Sequence, residues 1–108
     1  MKESQLQRAV LDYLAWFGRS QKIYLFRSGA GQVQTQAGRF FKTGKPGCPD
    51  ISVCFCGRYY GIEIKTATGR QSALQKQAEA DIIAAGGEYY IVRSLDDIKR
   101  IFPIDKNE

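Results

Sequence analysis

Gly47-Cys48-Pro49-Asp50-Ile51-Ser52-Val53-Cys54-Phe55-Cys56-Gly57-Arg58-Tyr59-Tyr60-Gly61-Ile62-Glu63-Ile64-Lys65 is the stretch that decides the fold. Two β-rich runs, 51–56 and 59–65, flank Gly57-Arg58, and a two-residue turn there predicts an antiparallel hairpin. In that register Cys56 faces Tyr59, Cys54 faces Gly61, Ser52 faces Glu63 and Asp50 faces Lys65. Side chains alternate along a strand, so Asp50, Ser52, Glu63 and Lys65 share one face. Ile51, Val53, Phe55, Ile62 and Ile64 share the other, which must be the core face. Asp50 and Glu63 come out as diagonal neighbours, their α-carbons about 7–8 Å apart. A slip of one residue would turn the charged set into the core, so the hydrophobic pattern supports the pairing.

Two carboxylates that close repel unless something positive lies between them. Lys65 supplies part of that charge, and a hard cation would supply the rest. Magnesium takes oxygen ligands and keeps several waters, so Asp50, Glu63 and the main-chain carbonyl of Ile64 form a sufficient donor set. Lys65 would orient an attacking water or stabilise charge on a phosphate. The competing reading is structural: Asp50, Glu63 and Lys65 as a cross-strand ion-pair network on a solvated sheet face.

Composition narrows the chemistry from outside. The chain has 108 residues and no histidine, which excludes Ser-His-Asp and Cys-His machinery, His-ligated zinc and an imidazole base. Its formal charge is +5, with 16 Lys plus Arg against 11 Asp plus Glu. No acid occurs between Tyr13 and Pro49, whereas Arg19, Lys22, Arg27, Arg39, Lys42 and Lys45 all fall there. The whole positive excess therefore belongs to one segment, the expected footprint of a phosphate backbone. The polar start (Met1 to Gln5) and the lack of a long apolar run predict a cytoplasmic protein with no membrane partner. Three cysteines without histidine fall short of a zinc set, and Cys54 and Cys56 are expected to be small buried residues.

Outward from the hairpin, residues 3–17 read as a helix, with Leu6, Val10, Tyr13, Leu14 and Phe17 on one stripe and Gly18 as its stop. Residues 22–28 read as a strand. Residues 29–47 hold five of the 11 glycines and read as a long loop that accommodates a short hairpin near Gln32 to Phe41. Gly44-Lys45 within it fails as a phosphate loop, because Pro46 stands where Ser or Thr should bind magnesium. Thr68 to Gln71 fits a capping box ahead of a helix through Leu74, Ala78, Ile82 and Ala85, which Gly86-Gly87 ends. Glu88 to Arg93 is β-rich, and a last helix runs from Ser94 to Phe102. The expectation is one domain over residues 1–108, α/β (α+β) in class, with a mixed sheet in the order α-β-β-β-α-β and a C-terminal helix.

Gly-x-Pro-Asp followed thirteen residues later by Glu-x-Lys resembles the signature of the PD-(D/E)xK nuclease superfamily. The closer resemblance is to its virus-type replication-repair nuclease (VRR-NUC) domain, in particular short stand-alone phage members. Glu3 in an N-terminal helix and Gln75 in the helix after Glu-x-Lys extend the match over nearly the whole chain. The resemblance implies a restriction-endonuclease-like core and a Mg2+- or Mn2+-dependent DNA endonuclease. Asp50, Glu63 and Ile64 would hold the metal, Lys65 would be the catalytic lysine, and Glu3 would contact a second metal or a metal-bound water. Gln75 would orient the water or Lys65. It also implies a homodimer acting on branched DNA, such as a four-way junction. The alternative from another class is a non-catalytic nucleic-acid-binding module. A sequence-reading restriction subunit would need a recognition helix rich in Arg, Asn and Gln, and none is seen.

Overall fold

A computed structural model describes residues 1–29, 32–34, 36–38, 40–42 and 44–104. Its elements are α1 (Glu3–Phe17), β1 (Ile23–Arg27), β2 (Gln32–Gln34), β3 (Phe40–Lys42), β4 (Ile51–Phe55), β5 (Arg58–Ile64), α2 (Ala73–Ala84), β6 (Glu88–Val92) and α3 (Leu95–Ile101). β1, β4, β5 and β6 form a four-stranded sheet in that order. The first two pairings are antiparallel and β5–β6 is parallel, so the sheet is mixed, as expected. The parallel pair needs a crossover, and α2 provides it. β2 and β3 form a separate antiparallel pair, with Gln32 opposite Lys42.

The predicted stripe of α1 builds the core. Leu6, Val10, Tyr13, Leu14 and Phe17 are buried against Ile51, Val53, Ile62, Ile64 and Val92 of the sheet. α3 joins the same face through Ile98, and Phe102 lies edge-on to Phe17 and Phe55, with centroids 5.5 and 6.0 Å apart. The Tyr13 hydroxyl donates to the Phe102 carbonyl at 2.6 Å, tying the first helix to the last. Burying that hydroxyl without a partner would cost about 1–3 kcal/mol.

The central hairpin turns one residue earlier than its sequence suggests. Phe55 pairs with Arg58 and Cys54 with Tyr59, so the loop is Cys56-Gly57. Both residues have positive φ, 52° and 75°, which is the type I′ geometry that matches strand twist. Glycine thus takes the second loop position instead of the first, and Cys56 accepts the left-handed conformation. Displacing the turn by one residue moves the pairing by two. Every side chain stays on its expected face, but Ser52 now faces Gly61 instead of Glu63. Extending the register one step sets Asp50 against Glu63, not against Lys65.

Two further expectations are corrected. The cap of α2 is Ser72, whose hydroxyl accepts the Gln75 N–H at 3.2 Å, and not Thr68. Ser72-x-x-Gln75 satisfies the same capping-box pattern one helical turn later. Thr66 to Gly69 instead makes a turn whose two carbonyls accept Arg93 Nη1 at 2.6 and 2.8 Å. Cys54 and Cys56 are exposed, not buried. Cys56 sits in the turn, and Cys54 lies on an exposed part of the sheet face. Among the described residues, no helix is long and apolar enough to cross a membrane.

Candidate active site

Local chain geometry aims Asp50 at the sheet. Gly47 has φ +79°, and a Cβ there would lie 2.4 Å from the Leu74 carbonyl oxygen, so only glycine lets the loop pass under the start of α2. A Cβ on Gly61 would meet Pro49 Cγ at 2.6 Å. Glycine in the middle of β5 therefore opens the slot into which Pro49 packs. Ser28 closes the other side: its hydroxyl donates to the Pro49 carbonyl at 2.7 Å, and its N–H donates to the Asp50 carbonyl at 2.9 Å. Pinned this way, Asp50 accepts the Ile64 N–H on Oδ2 at 2.7 Å.

Glu63 stands opposite, 2% exposed, with its carboxyl close enough to that of Asp50 for each to feel the other's charge. Burial, followed by the neighbouring Asp50 carboxyl and its charge, pushes the Glu63 pKa up to about 8. The positive charge of Lys65 and the hydroxyl of Tyr89 pull the other way. Gln75 Nε2 donates to Glu63 Oε1 at 3.0 Å, while Gln75 Oε1 accepts the Ser72 N–H at 2.8 Å. The capping box thereby fixes which end of the amide faces the acid. Tyr89 donates to Glu63 Oε2 at 3.4 Å and receives Gln71 Nε2 at 3.1 Å. Burial pushes the Tyr89 pKa up to about 12, so this hydroxyl remains a donor.

The structure thus brings together Asp50, Glu63, the backbone of Ile64, Lys65 and Gln75. Glu3 is exposed in the first turn of α1. Among the described residues no group of three or more His, Cys, Asp or Glu side chains converges as a metal cage, so Glu3 does not join the pair. Two opposed carboxylates, one buried and disfavoured as an anion, nonetheless fit a hard dication. Magnesium is commonly held by one or two carboxylates and completes its shell with water and phosphate.

Among the described residues, the basic side chains of this segment do not gather on one surface. Arg19 lines a cavity with Trp16, Pro103 and Ile104 at the far end of α1. Arg27 lies beside Arg8 and Asp12 on the α1 side of the sheet, whereas Lys45 lies beside Tyr59 and Ile82 on the α2 side. Lys22 is exposed just before β1. Arg39 and the side chain of Lys42 lie outside the described residues. A run of charges in sequence is therefore wrapped around the domain as the chain passes from one face to the other.

Sequence reasoning missed Ser28, Gln71 and Tyr89, and set Ser52 on the right face without its partners. Ser52, 3% exposed, donates to Ser28 Oγ at 2.7 Å and receives the Tyr59 hydroxyl at 2.7 Å. The one signal that could have revealed this layer is Gly61, since a glycine inside an apolar strand marks a close approach.

A comparison with solved structures finds a similar fold. A structure titled "VRR_NUC domain" superposes with a TM-score of 0.65, covering 92% of this chain and 91% of its own, at 15% sequence identity. No family model matches the sequence, and no curated protein matches it. The chain has the fold of a VRR_NUC domain, with Asp50, Glu63 and Lys65 on its central hairpin.

Proposed function

We propose that this chain is a VRR-NUC nuclease, a Mg2+- or Mn2+-dependent endonuclease that hydrolyses DNA phosphodiesters, prefers branched DNA and works as a homodimer. The observation that carries the reading is the buried Glu63 carboxyl set against Asp50, with Lys65 close enough to lower its pKa. A fold that buries one acid against another without a cation bears a cost of several kcal/mol, which a bound dication would offset.

In this reading Asp50, Glu63 and the Ile64 carbonyl hold the ion. When bound, the ion supplies Lewis acidity toward water and the scissile phosphate. Gln75 and Tyr89 hold the two oxygens of Glu63, and the Ile64 N–H keeps Asp50 Oδ2 in place. Lys65 places a positive charge where the phosphate gains negative charge. Homodimerisation gives two such sites, which symmetric cutting of a four-way junction requires. The fold shared with a VRR_NUC domain supports a nuclease-type domain.

The non-catalytic alternative requires Lys65 to neutralise the acids as an ion-pair network. Among the described residues the ion pairs are Arg8–Asp12, Arg58–Glu88 and Arg100–Asp97, and none joins Lys65 to either acid. The deciding experiment incubates the protein with junction, flap and duplex DNA in Mg2+ or Mn2+, beside Asp50→Ala and Lys65→Ala. Cutting that both variants abolish supports the reading, and its absence on every substrate refutes it.

A further inference from the structure

α2 packs over the β5–β6 half of the sheet and leaves the β1–β4 half open. There the register aligns three strands in rungs. Tyr24 pairs with Cys54 and Cys54 with Tyr59; two residues on, Phe26 pairs with Ser52 and Ser52 with Gly61. The next rung along the same alternation is Ser28, Asp50 and Glu63. All three rungs lie on the face that carries the acidic pair.

The first two rungs carry no charge, and their three aromatic side chains are exposed, whereas Ser52 and Gly61 between them are buried. Tyr24 is 70% exposed, Phe26 49% and Tyr59 36%. The rings of Tyr24 and Phe26 have centroids 5.8 Å apart. The Tyr59 hydroxyl is engaged by Ser52, which holds that ring by its polar end. None of these rings has a part in hydrolysis as described above, yet large aromatics clustered on an exposed sheet face mark a contact surface.

We propose that Tyr24, Phe26 and Tyr59 form a stacking platform for unpaired nucleobases, delivering a single-stranded tract of DNA to the acidic pair. This deepens the nuclease reading and rests on it for what happens at Asp50 and Glu63. Three observations favour this occupant. The platform is continuous with the acids, one rung being about 7 Å of strand. Its rim is basic: exposed Lys22 continues the alternation at the start of β1, and exposed Lys45 lines a cavity of about 180 Å³ with Tyr59. Asp81 shares that cavity, where Gln77 donates to its carboxylate at 2.9 Å. Finally, a second protein seated on Tyr24 and Phe26 would crowd Asp50 on the next rung, whereas a nucleic-acid strand would occupy both places at once. Every base offers a π-face, so such a platform selects unpaired strands without reading sequence.

The test measures binding in EDTA, where cutting cannot interfere. The probes are a labelled oligothymidylate and a blunt duplex of equal length. Tyr24→Ala/Phe26→Ala should weaken oligothymidylate binding by roughly 5- to 100-fold and duplex binding less than about twofold. Tyr24→Phe/Phe26→Tyr, which keeps both rings, should retain wild-type binding. A 2-aminopurine placed in the unpaired tract should be quenched by the wild-type protein, a readout that needs no variant. No selective loss, equal loss on both probes, or no quenching overturns the platform, even if Mg2+-dependent cutting by the wild type persists. A variant that changes oligomeric state in sedimentation while binding oligothymidylate normally also overturns it, assigning the face to a second copy. Selective loss together with no metal-dependent cutting by the wild type upholds the platform and removes the nuclease reading instead.

Discussion

Glu63→Gln should make the metal-free protein more stable at alkaline pH and leave it nearly unchanged in acid. The folded chain holds the Glu63 proton up to about pH 8, whereas an unstrained glutamate releases it near 4.5. Between those values the folded state binds a proton that the unfolded state has lost, so stability falls as pH rises. Each unit of the window costs about 1.4 kcal/mol, giving a loss of about 3 kcal/mol by pH 7 and about 4 kcal/mol by pH 8. Glutamine keeps the shape and still offers an oxygen to Gln75 Nε2, but it has no charge to desolvate. Urea unfolding in EDTA from pH 5 to 8.5 reads the difference directly, since a domain of this size is expected to unfold in two states. The two proteins should be nearly equal at pH 5, and the variant should lead by about 3 kcal/mol at pH 7. Parallel profiles would refute a buried Glu63 carboxyl opposed to Asp50. Adding Mg2+ at about 100 times its Kd should return about 2.7 kcal/mol to the wild type and little to Glu63→Gln.

Other substitutions probe the supports of the pair. Gly61→Ala forces a Cβ against Pro49 and should cost about 1–3 kcal/mol in urea unfolding, with a loss of metal affinity as Asp50 shifts. Gln75→Ala removes both the capping bond and the donor to Glu63, and should lower stability by about 1–2 kcal/mol at pH 6. Ser28→Ala strips a donor from the Pro49 carbonyl and an acceptor from Ser52; calorimetry should find about 1–2 kcal/mol less stability.

Local patterning made much of this legible. The stripe of α1 and the period-two alternation of β4 and β5 are set by which residues must leave water, and the fold obeys both. The hairpin register was less legible because glycine suits either loop position, and only the backbone shows that Cys56 takes positive φ. The parity of the strands survived that error, which is why Asp50 and Glu63 still met. The cap of α2 was ambiguous for a similar reason, since Thr68 and Ser72 each precede a glutamine by three residues. Side-chain partners across long separations, such as Tyr89 on Glu63 and Ser28 on Pro49, have no local signature. The charge run from Arg19 to Lys45 misled in the opposite direction, because adjacency in sequence says nothing about which face a strand or loop presents.

In the proposed function, Asp50 and Glu63 hold a metal for phosphodiester hydrolysis. This assignment is tested most directly by the cutting of a four-way junction in Mg2+, with Asp50→Ala beside the wild type. The wild type should cleave the junction in a reaction that EDTA abolishes and that Asp50→Ala slows by more than about 100-fold. Cleavage that persists in Asp50→Ala, or a junction left intact by the folded wild type in both Mg2+ and Mn2+, would contradict it.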